Sequence, residues 1–413
     1  MNDESRLAEF PDWHQAEKRL SQGEPDDFAA ISSYDPTKLE LAVRGIPTWE
    51  ATLSSEALKA QIAREFGTPT VVVDLDRVEA NIARVQQLCD AKGVANRPHI
   101  KTHKSPRLAK MQVAAGARGL TCQKLGEAEI MVDAGLDDIL ISYNLLGEEK
   151  IGRLGRLLGR ASITVAADNP TVIEGLPRAA EIAGRALGVV IECDTGRKCA
   201  GVETAKEAIT LARLIKDKPG LRFDGFLFYP TEQSWPDTQR FFEQALEGIR
   251  ALGLEARIVS TGGTPNLVNI GQLEGATEHR SGTYIFNDRM MLACGAAKFD
   301  DCAFSVYTTV VSRAASERGI LDSGSKTLTA DSGGLNDGFG LILEYPQAKI
   351  AAFAEEHGFL DLSRSNARPK VGEVGRVIPN HVCVVVNMVD RLVAVRGERI
   401  VEVMPVSARG KLG

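Results

Sequence analysis

From Thr68 to Thr261 the chain repeats one pattern, a short run rich in β-branched residues followed by an amphipathic stretch of helical period. Thr70 to Leu75 (TVVVDL) reads as a strand, and Val78, Ile82, Val85 and Cys89 follow at spacings of four, three and four, one face of a helix. The runs RGLTCQ, DILISY, SITVAA, LGVVIEC, FDGFLFY and ARIVST continue the series. Between them lie helical patterns at Gly126 to Ala134, Lys150 to Leu158, Ile173 to Ile182, Ala205 to Ile215 and Thr238 to Leu252. Roughly eight or nine strands alternating with helices predict an α/β fold, a (β/α)8 TIM-type barrel, with a doubly wound open sheet as the alternative.

Past about Phe304 the alternation stops. SVYTTVVSRA, RGILDSGSKTLTA, EVGRVIP, HVCVVVNMV, RLVAVRG and RIVEVMPV are β-rich runs separated by turns, with one helix expected between Gln347 and His357. Three parts are expected: an N-terminal extension over residues 1–66, a barrel over 67–303 and a β-rich domain over 304–413. In the extension, Gly23 to Thr37 reads as loop, and Ser54 or Ser55 is a candidate cap for a helix presenting Leu58, Ile62 and Phe66 on one face.

A net charge of −6 and a pI near 5.7 exclude a general nucleic-acid binder, because no basic segment is long enough to neutralise many phosphates. No run of about eighteen apolar residues predicts a membrane span. The first residues, MNDESRLAEF, are polar and acidic where a secretory signal is basic and then apolar, so a cytoplasmic location is expected. Seven scattered cysteines fit reduced thiols.

One stretch has no ordinary structural role: Arg97-Pro98-His99-Ile100-Lys101-Thr102-His103-Lys104. Run as a strand, it points Arg97, His99, Lys101 and His103 to one face and Pro98, Ile100 and Thr102 to the other. Like charges packed in an interior are costly without an anion, so this face calls for a phosphate or a carboxylate. A solvated edge strand is the plain alternative. As the second strand of a barrel it puts Lys101 and His103 at the C-terminal end, where such barrels assemble their active sites. Ser105-Pro106 then starts a helix.

RPHIKTHK resembles the cofactor-lysine motif of the D-threonine aldolase and D-serine dehydratase family, fold-type III pyridoxal phosphate (PLP) enzymes related to alanine racemase. The resemblance spans roughly residues 67–410. It implies that Lys101 binds the cofactor's aldehyde covalently, and neighbouring cations would keep its amine neutral and nucleophilic. Ser260-Thr261-Gly262-Gly263-Thr264-Pro265 follows the last barrel strand, and its bare glycine backbone and hydroxyls suit an anion. By resemblance this turn and Gly282-Thr283-Tyr284 bind the PLP phosphate. His99, Gln123, Tyr229 and Tyr143 are further cofactor-pocket candidates.

Pro379-Asn380-His381-Val382-Cys383 carries the second chemistry. Within a strand, His381 and Cys383 fall on one face two residues apart, so an imidazole and a thiol converge on one ion. The string resembles the family's metal-binding stretch, with the other positions left to water and substrate. Thiolate plus imidazole favours zinc over manganese or magnesium. By resemblance His-x-Cys goes with D-serine dehydratases, in which the metal helps the β-hydroxyl leave and an oxo acid and ammonia result. His-x-Asp goes with aldolases, which cleave to glycine and an aldehyde, with His103 or a metal-bound hydroxide as base.

The expected reading is therefore a PLP- and metal-dependent lyase acting on a D-configured β-hydroxy amino acid, dehydration preferred, retro-aldol cleavage the alternative. A non-catalytic PLP carrier and a racemase are the rival classes. The β-domain with its His-x-Cys speaks against the first, and no second base is evident for the second. A homodimer is expected by analogy. Two places depart from the family pattern. In DTGRKCAGV, Cys199 occupies the slot of an arginine near the pyridine ring, leaving Arg197 or Lys198 as substitutes, and Tyr229 is followed by Pro230-Thr231-Glu232-Gln233. Asp322, Lys326 and Asp331 are expected in turns and charged pairs, and His14 and His357 at the surface.

Overall fold

The computed structural model describes residues 56–335 and 337–413. The loop expected at Gly23 to Thr37, the cap candidates Ser54 and Ser55, and His14 lie outside them. The described chain opens on the helix Glu56–Phe66, whose Leu58 and Ile62 are buried as the spacing predicts. Each such burial contributes about 2 kcal/mol.

Strand β1 is Thr70–Asp74. Eight parallel strands then make one sheet: β2 Ala95–Asn96, β3 Leu120–Cys122, β4 Asp138–Ile141, β5 Ser162–Ala167, β6 Leu187–Cys193, β7 Leu221–Phe228, β8 Ile258–Gly262 and β9 Glu278–Arg280. Their order is β2-β9-β8-β7-β6-β5-β4-β3, and a bridge from His99 to Thr121 joins the two ends, which closes the barrel. Strand β9, the short EHR segment, escaped the sequence reading because three residues show no periodicity.

Alternation along the staves sorts side chains in two directions. Ile191 and Cys193 belong to the large core shared with the outer helices, whereas Val190 joins Leu140, Ala166 and Leu227 in a small inner layer. Two residues beyond that layer, Ser142, Asp168, Glu192 and Tyr229 fall at the C-terminal mouth.

The strand expected to open the barrel is not one of its staves. β1 pairs antiparallel with β10 (Phe304–Ala315) and parallel with a strand near the C-terminus. Val71 and Val73 pack into one cluster and Val72 into another, beside Leu58 and Ile62. Buried on both faces, the run TVVVD reads like a barrel strand although it lies in the other sheet.

That sheet is completed by β11 Arg318–Leu321, β12 Leu341–Ile342, β13 Lys349–Phe353, β14 Gly358–Asp361, β15 Val374–Ile378, β16 Arg391–Arg396 and β17 Arg399–Pro405. Its main order is β13-β14-β11-β10-β1-β16-β17, with β15 branching off β10 and β12 pairing β15. Two expectations fail here. The helix between Gln347 and His357 is instead the β13–β14 hairpin. The run HVCVVVNMV is a helix, Val382–Met388, capped by His381. Val382, Val385 and Val386 are buried at helical spacing, a period hidden in a β-branched run, and the Asp288 carboxylate accepts a hydrogen bond from the first N–H of the helix.

Candidate active site

The basic stretch does not run as one strand. Backbone hydrogen bonds to the β9 segment continue from Arg97 and His99, to the carbonyls of His279 and Ser281, and the chain then turns into a 3-10 helix over Ile100–Thr102. Its cations accordingly part company. Arg97 is buried between Glu278 at 2.8 Å and Asp138 at 2.7 Å. Lys104 is buried against Glu127 at 2.6 Å. His103 is fully buried, its Nε2 3.1 Å from Gln112 Oε1 and its Nδ1 accepting from the Ser105 N–H at 3.1 Å. Burial pushes its pKa down to about 4, so it is neutral and turned away from the mouth. Lys101 alone of the string is exposed. Among the described residues of the string, the neighbours of Lys101 are paired with acids or held neutral and do not form the crowd of cations expected around it.

His99 is almost fully buried, and its Nδ1 accepts from the Lys101 N–H at 3.4 Å while its Nε2 lies 3.1 Å from Gln123 Oε1. Gln123 in turn donates to the Ser142 carbonyl at 2.9 Å. An accepting Nδ1 and an Nε2 facing a carbonyl oxygen define the neutral Nε2–H tautomer. Burial, then the charge of Lys101, holds the His99 pKa well below the ordinary histidine value.

Thr264 ties the two glycine motifs together. Its Oγ1 accepts from the Gly282 N–H at 3.3 Å and the Tyr284 N–H at 3.2 Å. Gly263 has φ 102°, and a Cβ there would meet the Tyr229 ring at 2.2 Å; at Gly282 it would meet the His99 carbonyl at 2.9 Å. Glycine is required at both points, at Gly263 by the positive φ and the Tyr229 ring and at Gly282 by the approach of the His99 backbone. The Thr261 hydroxyl, 3.0 Å from His279 Nδ1, and the Tyr284 ring, whose hydroxyl accepts from Gln112 at 2.8 Å, face the core instead. The side chains of these two cofactor candidates are therefore engaged inside the fold.

Tyr229 lies under the Arg197 guanidinium, 3.7 Å from its ring centre. Arg197 also donates to the carbonyls of Tyr229 and Pro230, both at 3.0 Å, and Lys198 reaches Glu203. Both side chains are thus engaged by partners beside the exposed Cys199. Tyr143 is partly exposed beneath the Lys124 ammonium.

His381 and Cys383 converge as the spacing predicts, but at the start of a helix rather than along a strand. Their charges are close enough to act on each other, and Cys383 Sγ lies 3.2 Å from Thr102 Oγ1 and 3.9 Å from Thr283 Oγ1. The thiol thus sits beside both the Lys101 turn and the Gly282-Thr283 motif. Burial opposes both charges, yet the pair outweighs it. The imidazole is carried up to about 11 by the thiolate and Asp331, and the Cys383 thiol is drawn below its usual range by His381. Asp331 Oδ2 is 2.6 Å from His381 Nδ1. Its other oxygen accepts from the Gly333 N–H at 2.8 Å, which fixes the carboxylate. Asp331 is in a charged pair as expected, but sequence gave no sign that its partner is His381, fifty residues on.

Among the described residues no group of three or more His, Cys, Asp or Glu side chains forms a complete metal cage. A thiolate–imidazole pair with open positions still fits a catalytic metal. The glycine turns and the exposed lysine fit a phosphate-bearing aldehyde. The plain readings of other residues hold: Asp322 accepts from Thr308 Oγ1 and the Thr309 N–H, Lys326 pairs with Glu355 and Glu356, and His357 is exposed.

Comparison with known proteins follows the same division. Residues 73–290 match the alanine racemase N-terminal domain and residues 303–395 a putative serine dehydratase domain. The chain is 33% identical to D-threonine aldolase of Arthrobacter sp. over 357 residues, 83% of this chain and 93% of that one. It is 32% identical to D-threo-3-hydroxyaspartate dehydratase of Delftia sp. over 345 residues, 76% of this chain and 90% of that one. The crystal structure of D-threonine aldolase from Filomicrobium marinum superposes with a TM-score of 0.78 at 32% identity, covering 84% of this chain and 96% of that one. Solved forms of the dehydratase include alanine variants of a histidine and of a cysteine two positions apart, the cysteine variant metal-free.

Proposed function

The chain belongs to the alanine racemase-like family of PLP-dependent D-threonine aldolases and D-serine dehydratases, and from that premise we propose that it dehydrates a D-configured β-hydroxy amino acid to an oxo acid and ammonia. The family's members are lyases that use PLP and a divalent metal. The observation that carries dehydration is the His381–Cys383 contact beside the Lys101 turn. Its donor set, a soft thiolate with an imidazole, matches the residue types replaced in the Delftia dehydratase variants and favours zinc.

When bound, PLP supplies an electron sink for the α-carbanion and the metal a Lewis acid at the β-hydroxyl. Lys101 would hold the cofactor, and its amine would take the substrate's α-proton. His99, kept neutral, and Gln123 border the Lys101 turn and orient it. The backbone of Gly262-Gly263-Thr264 and Gly282-Thr283 receives the phosphate, with Tyr229 packed against Gly263. His381 and Cys383 hold the metal, and Asp331 occupies Nδ1 so that Nε2 is free to ligate. Tyr284 and Thr261 contribute main chain only.

Retro-aldol cleavage is the second reading and rests on the Arthrobacter and Filomicrobium aldolases. It needs a base at the β-hydroxyl, and His103, bonded to Gln112 and Ser105 in the core, is not available for that work. A homodimer is proposed by analogy. A cytoplasmic location accords with seven free cysteines, and no described helix is long and apolar enough to cross a membrane.

The test is product analysis with D-threonine, PLP and zinc or manganese, with and without a chelator. Chelator-sensitive 2-oxobutyrate and ammonia support dehydration; glycine and acetaldehyde overturn it in favour of aldol cleavage.

A further inference from the structure

Glu192 has no task in the reading above, and its surroundings are unusual for a carboxylate. It lies between Ile191 and Cys193, whose side chains face the helical layer, so its own points into the barrel mouth, one layer above Val190. The two acids nearby are fully occupied. Asp168 accepts from Asn144 at 2.8 Å and from the Gly201 N–H at 3.0 Å, and Asp194 accepts from the N–H groups of Gly196, Arg197 and Cys199. The Glu192 carboxyl has no hydrogen bond or ion pair among the described residues.

Burial raises its pKa to about 7, opposed by the charge of Arg280. Arg280 is itself buried and committed, donating to Ser260 Oγ at 2.6 Å and to the Phe228 carbonyl at 3.0 Å. It lends Glu192 a field but no contact. A largely buried carboxyl without a donor is costly, and a fold that keeps one at a ligand-binding mouth leaves the donor to the ligand. The cation that the family resemblance puts near the pyridine ring is missing, since Cys199 stands there and Arg197 is turned onto Tyr229 and Pro230.

Resting on the PLP reading, we propose that Glu192, backed by Arg280, accepts a hydrogen bond from the protonated ring nitrogen of bound PLP, so that a carboxylate and not an arginine sets the charge of the ring in this chain. A carboxylate favours the pyridinium, and each charge stabilises the other. A ring that keeps its proton is the stronger electron sink, which suits expulsion of a poor leaving group such as hydroxide.

The experiment measures retention of PLP and of its 1-deaza analogue, which has carbon in place of the ring nitrogen, by the full-length protein, together with the absorbance of the bound cofactor against pH. Glu192→Gln is expected to loosen PLP about tenfold or more, the loss of one charge-assisted hydrogen bond, and to move the absorbance midpoint. It is expected to leave deaza-PLP binding nearly unchanged. Cys199→Ala is expected to alter neither. Equal loss of PLP and deaza-PLP in Glu192→Gln, or superimposable titrations, would overturn the proposal. Should that variant not fold, Glu192→Asp, which keeps the charge but shortens the reach, is held to the same comparison. Failure of the wild-type protein to retain PLP would sink the cofactor reading instead.

Discussion

The barrel mouth and the proposed metal pair, His381 and Cys383, reach the same place by different means. At the mouth, Ser142, Asp168, Glu192 and Tyr229 sit just past or at the ends of successive parallel strands, and period-two alternation alone turns them inward. His381 and Cys383 come from the other sheet's domain, at the first turn of a helix that follows β15, and face Thr102 and Thr283 only because that helix packs on the barrel. The first arrangement is local geometry repeated around a ring. The second depends on long-range packing, with an interaction spanning 281 residues between Thr102 and Cys383. The mouth should therefore tolerate loss of the metal pair, whereas the metal pair needs the mouth in order to act.

The largest effect expected is from Lys101→Ala, which should cut product formation about 10^3-fold or more and abolish the absorbance of bound PLP. The side chain is exposed, so its thermal unfolding should stay within about 0.5 kcal/mol of wild type. Cys383→Ala should silence the enzyme comparably while PLP absorbance persists and metal content, read by elemental analysis, falls. Loss of PLP in that variant would show that the two regions are not separable.

Arg97→Met tests the opposite property of the same basic string. Removing one partner of a buried charge pair should cost about 3–5 kcal/mol in denaturant unfolding, far more than Lys101→Ala. Equal stabilities would mean that the string is one solvated face after all. Asp331→Asn should weaken zinc binding about 10–100-fold, measured by competition with a chromophoric chelator, with activity regained at high zinc.

Taken per histidine and per pH unit, the smallest effect is on pH dependence. His103 and His279 are depressed by burial to about 4 and about 3, and His99 lies well below its ordinary value. In each case the unfolded chain takes up the proton first. Their contribution to stability is complete above the unfolded value near 6.5 and is lost as pH falls through the folded values. Each should add about 1.4 kcal/mol per pH unit to the loss between those limits. Unfolding midpoints measured from pH 7 to pH 4 check this, and His103→Gln should flatten the slope by about one proton.

Much of the site was legible because its signals are short-range. Lys101, the glycine turns and the His-x-Cys pair are strings of a few residues whose types state the chemistry. What misled the reading was carrying a local period too far. Alternation across Arg97 to His103 fails because the strand ends at His99, and the β-branched run after His381 conceals helical spacing in Val382, Val385 and Val386. Tyr284 and Thr261 lie in the right motifs, yet their side chains answer to Gln112 and His279. Nothing near them in sequence announces those partners.

The sequence by itself determined the alternation of strands and helices and the β-rich C-terminal part, and it carries the residue types proposed to bind an aldehyde, an anion and a metal. Each of these is a property of neighbouring residues, fixed by backbone sterics and side-chain period. Tertiary structure decided where β1 belongs, because a run buried on both faces looks alike in a barrel and between two layers, and its partners lie more than two hundred residues away. It also decided which of five basic side chains remains exposed. A cation's fate depends on whether an acid such as Glu278 or Glu127 is brought within reach, and that distance is set by the fold.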